Sequence, residues 1–155
     1  MRNLIFIAFL AISNTLFSQN ITITVTGNWM KTIAASDISE AGNDYPTTYE
    51  SNANQTLLTI NPVNNNKQII VYVKRSDIAW HNNLNLKVKR TANGTNGNTA
   101  ITGGLIYQTI TNLNANFFTC VGYHTFIPLQ YEITGISVVL PVQSYSTEIM
   151  YTVMH

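Results

Sequence analysis

Histidine, carboxylate and serine side chains are the groups of this chain that could carry acid–base, nucleophilic or metal chemistry. The three histidines, His81, His124 and His155, stand alone, and none has the spacing of a zinc-binding motif. Residues 37–44 offer oxygen ligands suited to calcium, but their spacing matches no calcium-binding loop. No serine lies in the Gly-x-Ser-x-Gly context of a hydrolase nucleophile. The sequence therefore predicts no catalytic residue, no metal ligand and no cofactor, and we expect that the protein is not an enzyme.

The chain contains one cysteine, Cys120, so an intramolecular disulfide cannot form. Cys120 is flanked by Phe118 and Val121, and we expect it to be buried as a small apolar side chain. An intermolecular disulfide or a reactive thiol is the alternative. His124 lies four residues away, but neither a strand nor a turn would hold it against the thiol reliably.

Aromatic side chains beside hydrogen-bonding groups are the remaining candidates for a site. Trp80, His81 and Asn82 join an aromatic face to polar groups, a combination typical of carbohydrate-binding sites, and Tyr123 is a further aromatic candidate. We therefore propose these four residues as candidate ligand-binding residues. A tryptophan is also typical of the space between the two sheets of a sandwich, and we expect a core position for Trp29 and for Trp80, with ligand binding by Trp80 as the alternative.

Alternation of apolar and polar residues indicates the elements that would position these side chains. A period of two, which places one set of residues on a core and the other in water, extends over residues 21–26, 84–89, 127–134 and 145–153. Residues 68–73 and 135–142 are apolar on both faces and predict central strands. Further strands are predicted at 29–34, 56–60, 105–110 and 117–121, and a short turn at 36–41. About eight to nine closely spaced strands predict an all-β fold, an antiparallel β-sandwich.

The N-terminal segment has the pattern of a secretory signal peptide. Arg2 precedes an apolar stretch over residues 4–12, and the small Ser18 offers a cleavage point. The stretch is shorter than the roughly 20 residues that span a bilayer. We expect residues 1–18 to be the signal peptide and residues 19–155 to be a single domain that is secreted, periplasmic or held at the cell surface, with no membrane span after cleavage.

The charge balance excludes two classes of partner. The chain contains eight Lys and Arg residues and seven Asp and Glu residues, which gives a formal net charge of +1. Such a chain has neither the basic surface that binds nucleic acid nor a polybasic patch for a membrane.

The C-terminal segment, SVVLPVQSYSTEIMYTV, resembles the final strands of fimbrial-type and spore coat U-like domains. Such domains commonly end with a proline, a turn, a tyrosine and an alternating strand. The matching positions here are Pro141, Tyr145, Ile149, Tyr151 and Val153. The signal peptide followed by an Asn-rich and Thr-rich sandwich is also similar to small secreted proteins of the Bacteroidota. The resemblance implies an immunoglobulin-like or fimbrial-like sandwich that acts as a structural or adhesive surface subunit without catalysis.

The first strand after the cleavage site has two interpretations. Ile21, Ile23 and Val25 could fill a groove of a neighbouring subunit by strand addition, or they could form the first strand of their own domain. The first functional hypothesis is thus a structural or adhesive module whose partners are copies of itself or other surface proteins. The second is a carbohydrate-binding module, with a glycan as partner. The third is a small hydrolase built around Asp37 or Asp77.

Overall fold

Ten antiparallel β-strands form the described part of the chain. The computed structural model describes residues 21–62, 66–95 and 100–155, so the predicted signal peptide lies outside the described residues. The strands are β1 (Ile21–Thr26), β2 (Thr48–Glu50), β3 (Thr56–Pro62), β4 (Gln68–Ala79), β5 (Asn85–Arg90), β6 (Thr102–Gly103), β7 (Gln108–Thr109), β8 (Ala115–Val121), β9 (His124–Thr134) and β10 (Ser146–Met154). The described ranges contain one helical turn, Ala35–Asp37, so no helix in them is long and apolar enough to cross a bilayer.

The strands divide into two sheets that pack face to face, which confirms the predicted antiparallel β-sandwich. The first sheet has the order β1-β3-β9-β5-β7, with β2 paired to the C-terminal part of β9. The second sheet has the order β10-β4-β8-β6. Strands β1 and β10 are the edge strands on one side of the sandwich, where they contact each other.

The core lies between the two sheets, where alternate residues of each strand point. Leu58 and Ile127 from the first sheet and Val71 and Phe118 from the second are among its fully buried members. Cys120, only 1% exposed, belongs to the same core, which confirms that it packs as a small apolar side chain. Burial raises the pKa of its thiol to about 11, so the thiolate that would react is scarce near neutral pH.

A buried arginine fixes the long connection between β5 and β8. Arg90 is 2% exposed, and no carboxylate of the described residues pairs with it. Its Nε donates to the carbonyl of Gly103 at 2.5 Å, and its two terminal nitrogens donate to Asn93 Oδ1 at 2.5 Å and to the carbonyl of Ile101 at 2.7 Å. Burial lowers the pKa of Arg90, as expected for a cation removed from water.

Three of the predicted strands are wrong or much shorter than expected. Residues 29–34 and 135–142 form no strand, and of residues 105–110 only Gln108–Thr109 does. Glycines in the left-handed region end the strands that come before the first two segments: Gly27 (φ +106°) follows β1 and Gly135 (φ +87°) follows β9. Beyond these glycines Trp29 packs against the core, whereas Met30, Val138 and Val139 are exposed.

Candidate ligand-binding groove between the sheets

A groove of about 730 Å³ lies on the side of the sandwich where β1 and β10 form the two edges. One wall is the segment that follows β1, residues 27–33, and the other is the start of β10 with the residues that precede it. Side chains from β5 and β9 form the floor. We call this feature the inter-sheet groove, and its size is in the range of small-molecule binding sites.

Two tyrosines from opposite sheets meet at the floor. The hydroxyl of Tyr131 in β9 lies 3.1 Å from the hydroxyl of Tyr151 in β10. Burial raises the pKa of both phenols, so both stay protonated and neutral. The pair therefore ties the sheets together, and its neutral hydroxyls are hydrogen-bonded to each other at the base of the groove.

Trp29 forms part of the first wall. Its ring stacks on that of Tyr131, with the ring centroids 6.3 Å apart and the planes inclined by 12°. Trp29 is half-buried and packs against the core, and Met30 beside it is 84% exposed at the mouth. Lys31 is the one charged side chain among the described lining residues, and its Nζ lies 5.0 Å from the ring centroid of Tyr49. The groove is thus aromatic and nearly free of charge.

Trp80 lies at the far side of the groove, and β4 positions it because it directly follows the last residue of that strand. Its indole Nε1 donates to the carbonyl of Leu84 at 3.0 Å, and the guanidinium of Arg75 lies 5.2 Å from its ring centroid. His81 is next in the chain, and its ring meets that of Tyr145 edge-on at 6.1 Å. Trp80 and Tyr145 both line the groove, and Trp80 is half-buried, so part of its surface can meet a ligand.

An aspartate holds the loop that closes this end of the groove. Asp44 accepts hydrogen bonds from the Ser137 hydroxyl at 2.6 Å, from the Val138 amide at 2.8 Å and from the Tyr45 amide at 2.7 Å. These three donors favour the charged form and lower the pKa of Asp44. The loop carries Ile136 and Leu140 into the lining.

Only part of the predicted ligand-binding set is brought together. Trp80, His81 and the exposed Asn82 lie at one end of β4. Tyr123 lies at the other end, because Gln68 at the start of β4 pairs with Val121. The 12 residues of β4 separate the two places by about 36 Å. The four residues therefore do not share one surface, and a role in binding stays a prediction for the residues at the Trp80 end.

The candidate donor strand is paired within its own chain. β1 lies antiparallel to β3, with Ile21 opposite Pro62 and Thr26 opposite Leu57. Ile21 and Ile23 pack against the core, whereas Val25 is exposed and lines the groove. Donation of this strand to a neighbouring subunit stays a prediction.

The structure adds residues that the sequence did not indicate, above all the Tyr131–Tyr151 pair and Tyr145. Alternation placed both tyrosines of the pair on inward faces, but no pattern in one chain shows which strands of opposite sheets will meet. The carboxylates proposed for hydrolysis lie elsewhere: Asp77 is 3.1 Å from Arg75, and no carboxylate is among the described lining residues. Within the described ranges, no three His, Cys, Asp or Glu side chains are grouped as a metal site would require.

Comparison of the chain with protein-family models, with curated proteins and with solved structures finds no match. The inter-sheet groove is therefore the feature of the molecule that bears on its function.

Proposed function

We propose that this chain is a non-catalytic adhesive module, secreted or held at the cell surface, that holds its target in the inter-sheet groove. The observation that carries the proposal is the lining: half-buried aromatic rings around neutral hydroxyls, with Lys31 as the one charged side chain among the described lining residues. Concave apolar sites with a few convergent polar groups are the usual places for ligands.

The energetics of the lining favour binding. Covering apolar surface stabilises a complex by about 25 cal/mol per Å² removed from water, and Trp29, Trp80 and Tyr145 all retain surface to be covered. The Tyr131–Tyr151 hydrogen bond already orders the floor, so less conformational entropy is lost when a ligand binds there.

The location outside the cytoplasm is inferred from the signal-peptide pattern of residues 1–18.

A neutral carbohydrate is the second, narrower candidate for the target. Aromatic rings offer flat apolar faces to a sugar ring, while the hydroxyls of Tyr145 and Thr147, which donate within the chain, can still accept hydrogen bonds from sugar hydroxyls. The near absence of charge in the lining favours a neutral glycan over an acidic one.

Intrinsic fluorescence tests the carbohydrate candidate directly, because Trp29 and Trp80 are the two tryptophans of the chain and both line the groove. Cellohexaose and chitohexaose serve as neutral probes and an oligogalacturonide as the acidic one. We expect a saturable change in emission with a neutral probe, weakened in Met30→Glu, which places a charge at the mouth. Tyr123→Ala, at the opposite end of β4, is the matched control and should bind as the wild type does. No change with any probe would exclude these glycans.

Adhesion is tested separately by retention of the labelled protein on surfaces coated with neutral polysaccharides or with proteins. The proposal expects retention on at least one coat and its loss in Met30→Glu but not in Tyr123→Ala. Retention on a protein coat alone would keep the adhesive function and reject the carbohydrate candidate. Equal retention of the wild type and Met30→Glu on every coat would reject the groove as the binding site.

A further inference from the structure

Strand β10 is a long sheet edge with one side unpaired. All nine of its residues pair with β4, and no strand of the described chain pairs with its other side. Among the described residues, no backbone hydrogen bond from a turn or loop reaches β10 either. The other edge strand of this sheet, β6, has two residues, as has β7 in the first sheet, whereas β1 has six.

Strand β10 lacks most of the features that usually prevent an edge strand from pairing with a strand of another molecule. Natural edges are protected by lysines, prolines, bulges or short length. β10 has no lysine, arginine or proline, and its one irregularity lies at its first step, between Ser146 and Thr147. Glu148 is its one charged residue, and Met150 and Met154 on the outward face are 45% and 52% exposed. An edge of this kind favours pairing with another strand.

We propose that β10 pairs antiparallel with β10 of a second copy of this chain, which joins two four-stranded sheets into one of eight strands. A two-fold axis through Met150 gives the register. Glu148 then faces Thr152 of the second copy, and Ile149 faces Tyr151 of the second copy. This inference goes beyond the proposed function, because it concerns how two modules assemble.

The charges around the edge fit this register. Glu148 and its symmetry mate stand on opposite sides of the axis, so no like charges face each other. Lys74 pairs with Met150 and Glu148 pairs with Ser76, so the diagonal neighbour of Lys74 is Glu148 of its own chain. This lysine and this glutamate therefore lie close to each other within each copy. The register brings no two like charges together, and the identical strands can pair along their full length, as a two-fold interface requires.

Charge variants at Met150 separate assembly from folding. Met150→Glu places a carboxylate beside Lys74 in its own chain, which should not weaken the fold, but places two glutamates opposite each other across the axis. Met150 does not line the groove, so the substitution leaves the groove lining of each single chain unchanged. Thr24→Glu puts the same charge on an exposed position of the β1 edge and is the matched control.

Sedimentation equilibrium of the purified protein over a wide range of concentrations is the measurement. We expect a wild-type dimer, a dissociation constant at least about tenfold weaker in Met150→Glu, and no such change in Thr24→Glu. Mixing Met150→Glu with Met150→Lys should restore a dimer that Met150→Glu alone does not form. A wild-type monomer at all concentrations, or a dimer that Thr24→Glu disrupts and Met150→Glu does not, would overturn the proposal. Circular dichroism of each variant confirms that it is folded.

Discussion

Replacing Arg90 with methionine should loosen the connection between β5 and β8. Methionine retains an unbranched stem where the arginine side chain passes Gly104, and it removes the three hydrogen bonds that the guanidinium donates. The carbonyl of Ile101, a buried residue, would then lose its donor. Gly103 and Asn93 are exposed, so their oxygens can turn to water at little cost.

The size of the effect follows from two opposing contributions. Leaving the buried Ile101 carbonyl without a donor costs about 1–3 kcal/mol, and the hydrogen bonds to the exposed Gly103 and Asn93 add less. The variant also removes the cost of burying a cation, which offsets part of that loss. We expect the free energy of unfolding to fall by about 2 kcal/mol, which corresponds to a Tm lower by about 6 °C for a domain of this size.

Urea denaturation followed by circular dichroism measures this change. Lys74→Met, at a half-buried position on the outward face of β4, removes a cation without these hydrogen bonds and should change stability by less than about 0.5 kcal/mol. Hydrogen exchange should show the loss of protection concentrated in residues 91–95 and 100–107. If Arg90→Met were as stable as Lys74→Met, the guanidinium would not be holding this connection.

Three further outcomes follow from individual groups. Because the pKa of Asp44 is lowered from its ordinary 3.8, its hydrogen bonds stabilise the fold above that pH and are lost as pH falls through the lowered value. The protection of the Val138 amide, taken relative to its intrinsic exchange rate, should therefore fall only in strong acid; a fall already at about pH 5 would contradict this. Cys120 should resist a thiol reagent at pH 8 in the native protein and react fully in denaturant; rapid native labelling would contradict its burial. Gly135→Ala should lower Tm strongly, since a Cβ would lie 1.9 Å from the carbonyl oxygen of Asn83; an unchanged Tm would contradict that contact.

Local alternation was enough to predict the sandwich. The inward positions of β3, β5, β9 and β10 follow the period of two, and each burial pattern alternates accordingly. The burial of Cys120 followed from its apolar neighbours in the same way. Such patterns depend on residues a few positions apart, which is why one sequence suffices.

The segment 135–142 is the place where apolar composition predicts the wrong structure. Its apolar residues predict a central strand, but Gly135 has a positive φ and turns the chain. Ser137 and Val138 then donate hydrogen bonds to Asp44, which lies more than 90 residues earlier in the chain. The chain therefore has an exposed apolar loop where hydrophobicity alone indicated a buried strand.

The groove could not be predicted because its parts come from both sheets. Tyr131 and Tyr151 are 20 residues apart and meet only because β9 and β10 belong to opposite sheets. The polar neighbours of Trp80 indicate a ligand-binding role, and Trp80 does line the groove. Residue type alone connects Tyr123 with Trp80, and Tyr123 lies at the other end of β4.

The most direct test of the groove as the binding site is to block its mouth covalently. Cys120 is buried, so Met30→Cys adds one accessible thiol at the mouth, and Tyr123→Cys adds one at the far end of the sandwich. Each variant is labelled with the same bulky maleimide and assayed on the polysaccharide and protein coats that retain the wild type. We expect labelled Met30→Cys to lose its retention on these coats, while labelled Tyr123→Cys is retained as the wild type is. Equal retention of the two labelled variants would contradict this expectation.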